Sequence, residues 1–399
     1  MTAVLAWIVC AAWVIVLLDR RRAWPAEQFL RRPPLGPSDS VLEVVAIVPA
    51  RDEADVLPET LPALLAQDLP RFRVVLVNDR SSDGTGSVAR ELAARSGRRD
   101  RLAVVEGSPP PPGWTGKVNA LRVGLDAAGF GGGLITAGCP PWVLFTDADI
   151  RHPPDSVRGL LEEATRGGKD LVSVMARLNS EGFWARLLIP PFVFFFHLLY
   201  PFRLASSPRS RVAAAAGGCV LLRAEALRAA GGIAAIAGEV IDDVALARAV
   251  RRSGGRGWLG FDPEIASVRG YPGLSEIWRM VARTAFIQLR CRWDLLGLTA
   301  AAIVLFLVGP PLLSAWALFK GDLLSAAAAA AGWTIPAAMA MPSARHHGVP
   351  RGYALLLPVA SFFYLLMTLT SAWNHAIGRG PAWKGRTYGK PEQERRALL

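Results

Sequence analysis

Cysteine is scarce. The 399 residues hold four, at 10, 139, 219 and 291, and no two form a CxxC pair. Such scatter argues against a zinc site or a disulfide framework and fits a reducing compartment. No Ser–His or Cys–His arrangement is present either, so nothing suggests a covalent intermediate. Acidic residues are outnumbered: 33 Asp and Glu face 45 Lys and Arg, for a formal net charge of +12. An excess of that sign suits nucleic acid or a membrane border. No basic stripe interleaved with aromatics is found, and the arginines flank apolar runs instead, so the chain is expected to meet a membrane and not nucleic acid. No basic residue precedes the first apolar run, about 3–18, whereas Asp19-Arg20-Arg21-Arg22 follows it directly. A cleavable signal peptide has its charge in front. This run is expected to be a retained anchor with Arg20 on the cytoplasmic side.

What the chain has in plenty is apolar sequence, 52% of all residues, and much of it is clustered. Three runs at about 295–319, 323–342 and 353–377 approach the length of a bilayer span. The tail beyond Arg379 is basic. Three simple spans would leave it on the far side from the residues before them, so one run is expected to turn back, with Gly309-Pro310-Pro311 the best place for a hairpin. The expected organisation is an anchor over 1–22, a linker along the membrane surface over 23–41, an α/β domain over 42–294, membrane segments over 295–377 and a basic tail over 378–399. Within the α/β part, 184–204 is dense in Phe, Leu and Pro. Pro190-Pro191 and His197 make it a poor span, and an interfacial or re-entrant piece is expected.

Between 44 and 176, short apolar runs alternate with helical stretches. Strands are expected at 44–48, 73–77, 102–106, 142–146 and 171–176. Alternation of this kind implies a parallel sheet covered by helices on both faces. Ligands bind such sheets at the carboxyl ends of the strands. Asp52, Asp79 and the pair Asp147 and Asp149 all follow strand ends, so they should gather on one edge. Residues two apart on a strand share a face. Two neighbouring carboxylates repel unless a cation lies between them, and the usual answer is Mg²⁺ or Mn²⁺ shared with substrate phosphates. Read alone, the Asp-Ala-Asp stretch is equally an acidic turn. Its place beside Asp52 and Asp79 favours the metal.

Two further features allow a plain and a functional reading. Gly217-Gly218 before Val220 is either an ordinary turn or a place of close ligand approach. Asp242-Asp243 opens a helix, where acids suit the helix dipole, or else one of them is a general base facing the pocket of Asp149. The stretch Trp278–Trp293 is expected to be an amphipathic helix. Its arginines, Arg283 and Arg290 among them, suit lipid headgroups or a diphosphate.

Taken together, Pro49-Ala50-Arg51-Asp52-Glu53, Val77-Asn78-Asp79-Arg80-Ser81-Ser82-Asp83-Gly84-Thr85, Gly116-Lys117-Val118-Asn119, Asp147-Ala148-Asp149, Gly217-Gly218 and Asp242-Asp243 stand in an order that resembles a membrane-anchored family 2 glycosyltransferase of the GT-A fold. The flanking anchor, Ile241-Asp242-Asp243 and Trp383-Lys384-Gly385-Arg386-Thr387-Tyr388 are most similar to the hopanoid-biosynthesis-associated glycosyltransferases of bacteria. Ceramide glucosyltransferases and carotenoid-acid glycosyltransferases are more distant likenesses. The resemblance implies a nucleotide-sugar donor, a UDP-sugar above all, held by Pro49, Arg51, Asp52, Glu53, Asp79, Asp83, Lys117 and Asp147. It implies Asp149, with Asp147, as ligands of Mg²⁺ or Mn²⁺. It implies Asp243, beside Asp242, as catalytic base in an inverting transfer, and Gly217, Gly218, Arg283 and Arg290 on the side of a lipid acceptor. It also implies a multi-pass protein of the bacterial inner membrane with its catalytic domain in the cytoplasm. Processive members carry QxxRW. Here Gln288-Leu289-Arg290-Cys291-Arg292-Trp293 has one residue too many, which favours a single transfer. A haloacid-dehalogenase-type phosphohydrolase also ends a strand in DxD, but it wants Thr or Val where this chain has Arg151. A membrane scaffold with a dead transferase domain would not need intact Asp149 and Asp243.

Overall fold

The computed structural model describes residues 2–19, 28–32, 43–130 and 141–380, with the backbone of 382–383 and 386–387. Arg20, Arg21 and Arg22, most of the expected linker and nearly all of the basic tail lie outside the described residues. The chain divides into two units, one made of Pro25–Leu178, Phe202–Arg269 and Ala382–Leu399, the other of Met1–Trp24, Asn179–Pro201 and Gly270–Pro381.

The first unit is built on an eight-stranded sheet. Its strands are β1 (Glu43–Ala50), β2 (Arg71–Asn78), β3 (Leu102–Glu106), β4 (Trp142–Thr146), β5 (Ile150–Arg151), β6 (Leu171–Arg177), β7 (Cys219–Arg223) and β8 (Gly257–Ser267), in the spatial order β3-β2-β1-β4-β7-β6-β8-β5. The pairs β1–β2, β2–β3 and β1–β4 are parallel. Strand β7 runs antiparallel to both β4 and β6, and β8 is parallel to β6. The sheet is therefore mixed, with β7 and the short β5 reversed. The carboxyl ends of β1, β2, β4 and β8 and the start of β7 share one edge.

Strand β1 shows why the apolar runs are unbroken. Val44, Ala46 and Val48 join a core with Leu57, Leu61, Val157 and Leu160, while Val45 and Ile47 join another with Val118, Leu121 and Leu246. Both faces are buried, so period-two alternation disappears. The first core receives α2 (Leu57–Leu65), α3 (Thr85–Arg95) and α5 (Ser156–Gly167). The second receives α4 (Gly116–Ala127), α8 (Ala224–Ala229) and α9 (Asp242–Arg252). A short helix, α7 (Phe202–Ser206), puts Phe202 in a stack on Phe261 of β8.

Where it is described, the expected linker is tied to the sheet. Residues 28–30 lie along β8, with the Leu30 N–H donating to the Phe261 carbonyl and the Phe261 N–H to the Gln28 carbonyl, both at 2.8 Å. Arg32 then pairs with Asp155, Asp262 and Glu264 at 2.8–2.9 Å. An unpaired strand edge offers backbone partners, and this segment takes them.

The second unit is helical: α1 (Thr2–Leu18), α6 (Phe183–Leu199), α10 (Leu274–Ala282), α11 (Ala285–Gln288), α12 (Trp293–Ile303), α13 (Gly309–Phe319), α14 (Leu323–His346) and α15 (Leu357–Ala376). Three stretches are long and apolar enough to cross a membrane by length and composition, Trp293–Phe319, Leu323–His346 and Arg351–Ala376. Helix α1 is shorter, at 17 residues. It packs on α14 through Ala6, Ala328 and Ala329. At Gly332 an added Cβ would lie 2.6 Å from a methyl of Val9, so glycine is what lets the two backbones approach.

Four expectations can be set against this unit. Where a boundary at 294 is expected, the Phe202–Arg269 segment of the α/β unit closes at Arg269, and 179–201 groups with the helices. The stretch 184–204 holds a regular 17-residue helix, α6, despite its two prolines. Beside them Ser343 Oγ donates to the Pro190 carbonyl (2.8 Å) and Tyr364 Oη to the Leu188 carbonyl (2.7 Å), so neighbouring helices satisfy the backbone there. Gly309-Pro310-Pro311 makes no hairpin either. A π-helical turn, Val304–Val308, precedes it and Trp293–Phe319 continues as one helix, with Trp13 Nε1 donating to the Phe306 carbonyl at 2.8 Å. A π turn spaces its bonds differently and so accommodates the prolines' missing N–H groups. The expected helix over 278–293 is broken too. Arg290 and Cys291 adopt φ of 56° and 54°, a left-handed pair that separates α11 from α12.

The tightest helix-on-sheet contact in the first unit gives a test. At Gly124 of α4 an added Cβ would lie 2.4 Å from Cγ2 of Ile47 and 3.0 Å from Cγ2 of Val77. Gly→Ala inside a helix is normally favourable by about 1 kcal/mol. Here overpacking against two β-branched side chains reverses the sign, by roughly 1–3 kcal/mol. Gly124→Ala is expected to lower the thermal unfolding midpoint. A raised midpoint would mean that α4 does not sit on β1 and β2 in this way.

Candidate active site

The site is assembled from loops at the shared edge of the sheet. After β1, Asp52 sits at φ 49°, a left-handed conformation that Asp tolerates better than most residues. Its Oδ1 accepts from the Ser82 N–H at 2.7 Å and from Ser82 Oγ at 3.2 Å. After β2, Asp79 is fully buried, and Arg51 Nη1 donates to its carbonyl at 3.1 Å. Asp83 spans the two loops. It accepts from the Ala54 N–H on Oδ2 and from the N–H and hydroxyl of Thr85 on Oδ1, at 2.9, 2.9 and 2.5 Å. Against the cost of its burial, these bonds hold its carboxyl below the usual range. Expected as a donor contact, Asp83 is used in this structure to clamp one loop to the other.

Lys117, on the first turn of α4, is the hub of a second group. Its Nζ lies 2.9 Å from Asp147 Oδ1 and 3.3 Å from Asp242 Oδ2. Burial alone would lower its pKa, but Asp147, Asp242 and Asp243 outweigh that and raise it, so the ammonium stays charged. Thr115 caps α4, accepting from the Val118 N–H at 3.4 Å, and so fixes where Lys117 starts. Asp243 opens α9. Its Oδ2 accepts from the Gly217 N–H at 2.8 Å and its Oδ1 from the Val244 N–H at 2.7 Å. Burial, then the like charge of Asp242, pushes its carboxyl up to about 6. An added Cβ at Gly217 would stand 3.2 Å from Asp243 Oδ2 and 3.4 Å from Lys117 Nζ. The glycine therefore lets the backbone of this turn meet the acid. A single cleft is lined by Pro49, Lys117, Asp147, Gly217, Asp242 and Asp243.

A third group surrounds Asp149. Ser267 Oγ donates to its Oδ2 at 2.7 Å, and Arg269 Nε is 3.3 Å from the same oxygen. The other end of the Arg269 guanidinium donates to Glu53 Oε2. Below the acids, Thr146 Oγ1 donates to the Gly218 carbonyl at 2.9 Å and meets His152 Nε2 at 2.8 Å. Burial lowers the His152 pKa to about 4, so this ring is neutral at pH 7 and braces the turn.

Asp147 and Asp149 suit a hard divalent cation. Among the described residues, the contacts of Asp149 fall on Oδ2 and that of Asp147 on Oδ1, which leaves one oxygen of each carboxylate for an ion. Among the described residues no three His, Cys, Asp or Glu side chains form a metal-holding cluster. Mg²⁺ and Mn²⁺ fit such a sparse set because phosphates and waters complete their coordination.

The expected residues Pro49, Lys117, Asp147, Gly217, Asp242 and Asp243 thus meet in one cleft, and Asp149 and Glu53 meet at Arg269. Gly218 lies at the start of β7, with Ile150 against it. Arg283 and Arg290 belong to the helical unit. Ser267, Arg269 and His152 escaped the sequence reading. Strand β8 was the missing signal: Trp258-Leu259-Gly260-Phe261 and Ile265-Ala266 are its apolar residues, and an Arg just past its end is placed by the same rule that placed Asp149.

Known proteins share this fold. The model for glycosyl transferase family 2 matches residues 45–231, and that for glycosyl transferase family group 2 matches 142–373, more than half of the chain. A mannosyltransferase, PcManGT from Pyrobaculum calidifontis, solved in complex with GDP-Man and Mn²⁺, superposes with a TM-score of 0.53 over 94% of this chain and 99% of that one. At 22% identity this likeness speaks for the fold. Succinoglycan biosynthesis protein ExoO of Rhizobium meliloti (strain 1021) is 29% identical over 168 residues, 39% of this chain and 43% of that protein, so the match spans less than half of that relative. The fold is that of a GT-A glycosyltransferase, and the chain belongs to glycosyl transferase family group 2.

Proposed function

We propose that the protein moves one sugar from a nucleotide-diphosphate donor, a UDP-sugar, to a lipid acceptor with inversion at the anomeric carbon. The observation that carries this reading is the cleft around Lys117, where Asp147 from β4 and Asp242 and Asp243 from α9 meet beside Asp149. Asp79 and Asp52 hold the nucleoside end of the donor, and Arg51 steadies Asp79 through its carbonyl. Lys117 keeps Asp147 in place and presents positive charge to the donor. Asp149, with Asp147, would hold a divalent cation, which would supply positive charge to offset that of the departing diphosphate. Asp243 accepts the proton of the attacking hydroxyl as the new bond to the sugar carbon forms and the bond to the diphosphate breaks. Each of its oxygens takes one backbone N–H and keeps further acceptor capacity. A pKa near 6 suits a base at neutral pH better than an ordinary carboxylate would. One displacement by the acceptor gives inversion without a covalent intermediate.

The lipid acceptor is inferred from the three helices of the described residues that are long and apolar enough to cross a membrane. The resemblance to the hopanoid-associated enzymes makes a hopanoid-related lipid the first choice, with the protein a multi-pass component of the bacterial inner membrane and its catalytic unit in the cytoplasm. The likeness to a succinoglycan biosynthesis protein favours a second reading, in which the acceptor is a saccharide. Lipid profiling of a deletion strain separates the two.

In a nucleotide-release assay on the purified protein, Mn²⁺-dependent liberation of UDP should be lost in Asp149→Ala and fall by about 10²–10⁴-fold in Asp243→Asn. Absence of nucleotide release with every donor, from folded protein, would contradict the transferase reading. The pH profile tests Asp243 more closely. Only the ionised carboxylate accepts a proton, so the rate should fall as pH drops through about 6. Asp242→Asn removes a like charge that raises this pKa, so the acid limb should move to lower pH. A limb that stays in place would separate it from Asp243.

A further inference from the structure

Arg269 closes the Phe202–Arg269 segment of the α/β unit and is held by its neighbours. Ser267 and Ile150 pair across β8 and β5, the Val268 N–H donates to the Asp149 carbonyl at 2.9 Å, and the Arg269 N–H donates to Ser267 Oγ at 3.3 Å. From there the guanidinium lies between Glu53, which follows β1, and Asp149, which follows β4. Both carboxylates are well covered, with side chains 8% and 16% exposed. The oxygen that Arg269 touches belongs to the acid assigned above to the divalent cation. A guanidinium cannot be deprotonated in a protein, so its charge is always there.

We propose that Arg269 is a resident competitor for the divalent cation at Asp149, and that it makes cation capture depend on the nucleotide diphosphate. This rests on the metal reading of Asp149 given above. Without nucleotide, a divalent ion arriving at Asp149 meets a fixed positive charge on the same carboxylate, and two cations sharing one anion repel. With a diphosphate present the sign reverses. Its oxygens add negative charge, and a guanidinium pairs well with phosphate. Arg269 therefore opposes the bare ion and favours the ion that arrives with the donor. Without donor it acts as a positioning residue, through Asp149 and Glu53; with donor it also faces the diphosphate.

Mn²⁺ binding to the full-length protein, followed by electron paramagnetic resonance of the free ion with and without UDP, tests this. Arg269→Ala should bind Mn²⁺ about tenfold tighter than wild type without nucleotide, and more weakly than wild type with UDP present. Arg269→Lys keeps the charge and should restore the wild-type pattern. Should Arg269→Ala fail to fold, Glu53→Gln serves instead. It leaves the guanidinium to Asp149 alone and should weaken Mn²⁺ binding without nucleotide. If wild type binds Mn²⁺ with UDP and Arg269→Ala matches it under both conditions, or if both affinities change in the same direction, the competitor role is overturned. If wild type binds no Mn²⁺ even with UDP, the metal reading falls and the competitor role falls with it.

Discussion

Carboxylates gathered at one end of a sheet repel one another, and this edge brings together Glu53, Asp147, Asp149, Asp242 and Asp243. Two fixed cations make the arrangement possible. Lys117 stands between Asp147 and Asp242, and Arg269 between Asp149 and Glu53. Each cation joins elements distant in sequence: Lys117 ties α4 to the ends of β4 and α9, and Arg269 ties β8 to the ends of β1 and β4. The sheet puts the acids close together, and the cations offset their charge and aim them. Asp243 stands apart. Burial and its neighbour Asp242 raise its pKa into the range a base needs.

Much of this was legible before any coordinates. Strands β1, β2 and β4 lie buried on both faces, so each reads as a solid apolar run that ends where the acids begin, and the strand-end rule then collects Asp52, Asp79, Asp147 and Asp149. Asp242 and Asp243 were legible as a helix start. The placement of Asp243 in the cleft depends on Gly217, whose missing Cβ admits a backbone N–H to Asp243, and a lone turn glycine does not announce that. Asp83 is legible as a motif acid, but its bonds to Ala54 and Thr85, which join the two loops, are not. Arg269 was hidden because β8 went unread, and its contacts with Glu53 and Asp149 span more than a hundred residues.

The helical unit shows the opposite balance. Its apolar runs were plain from composition, and three of the helices have the length and apolarity to cross a bilayer. What composition missed was how the breakers are tolerated. Pro190-Pro191 and Gly309-Pro310-Pro311 read as interruptions, yet side chains on neighbouring helices and a single π turn carry the helices through. Conversely, no glycine or proline marks the left-handed pair Arg290-Cys291, and there the helix does break. Tertiary hydrogen bonding overrides local propensity in both directions.

The central claim is that the acids at this edge hold a metal–nucleotide donor. It is tested most directly by a structure of the protein with UDP and Mn²⁺, in which anomalous scattering locates the metal. The account predicts manganese bound to Asp149 and to the diphosphate, with the nucleoside end against the loops of Asp52 and Asp79. Manganese away from Asp149, or UDP bound outside the cleft that Lys117 and Asp243 line, would contradict it.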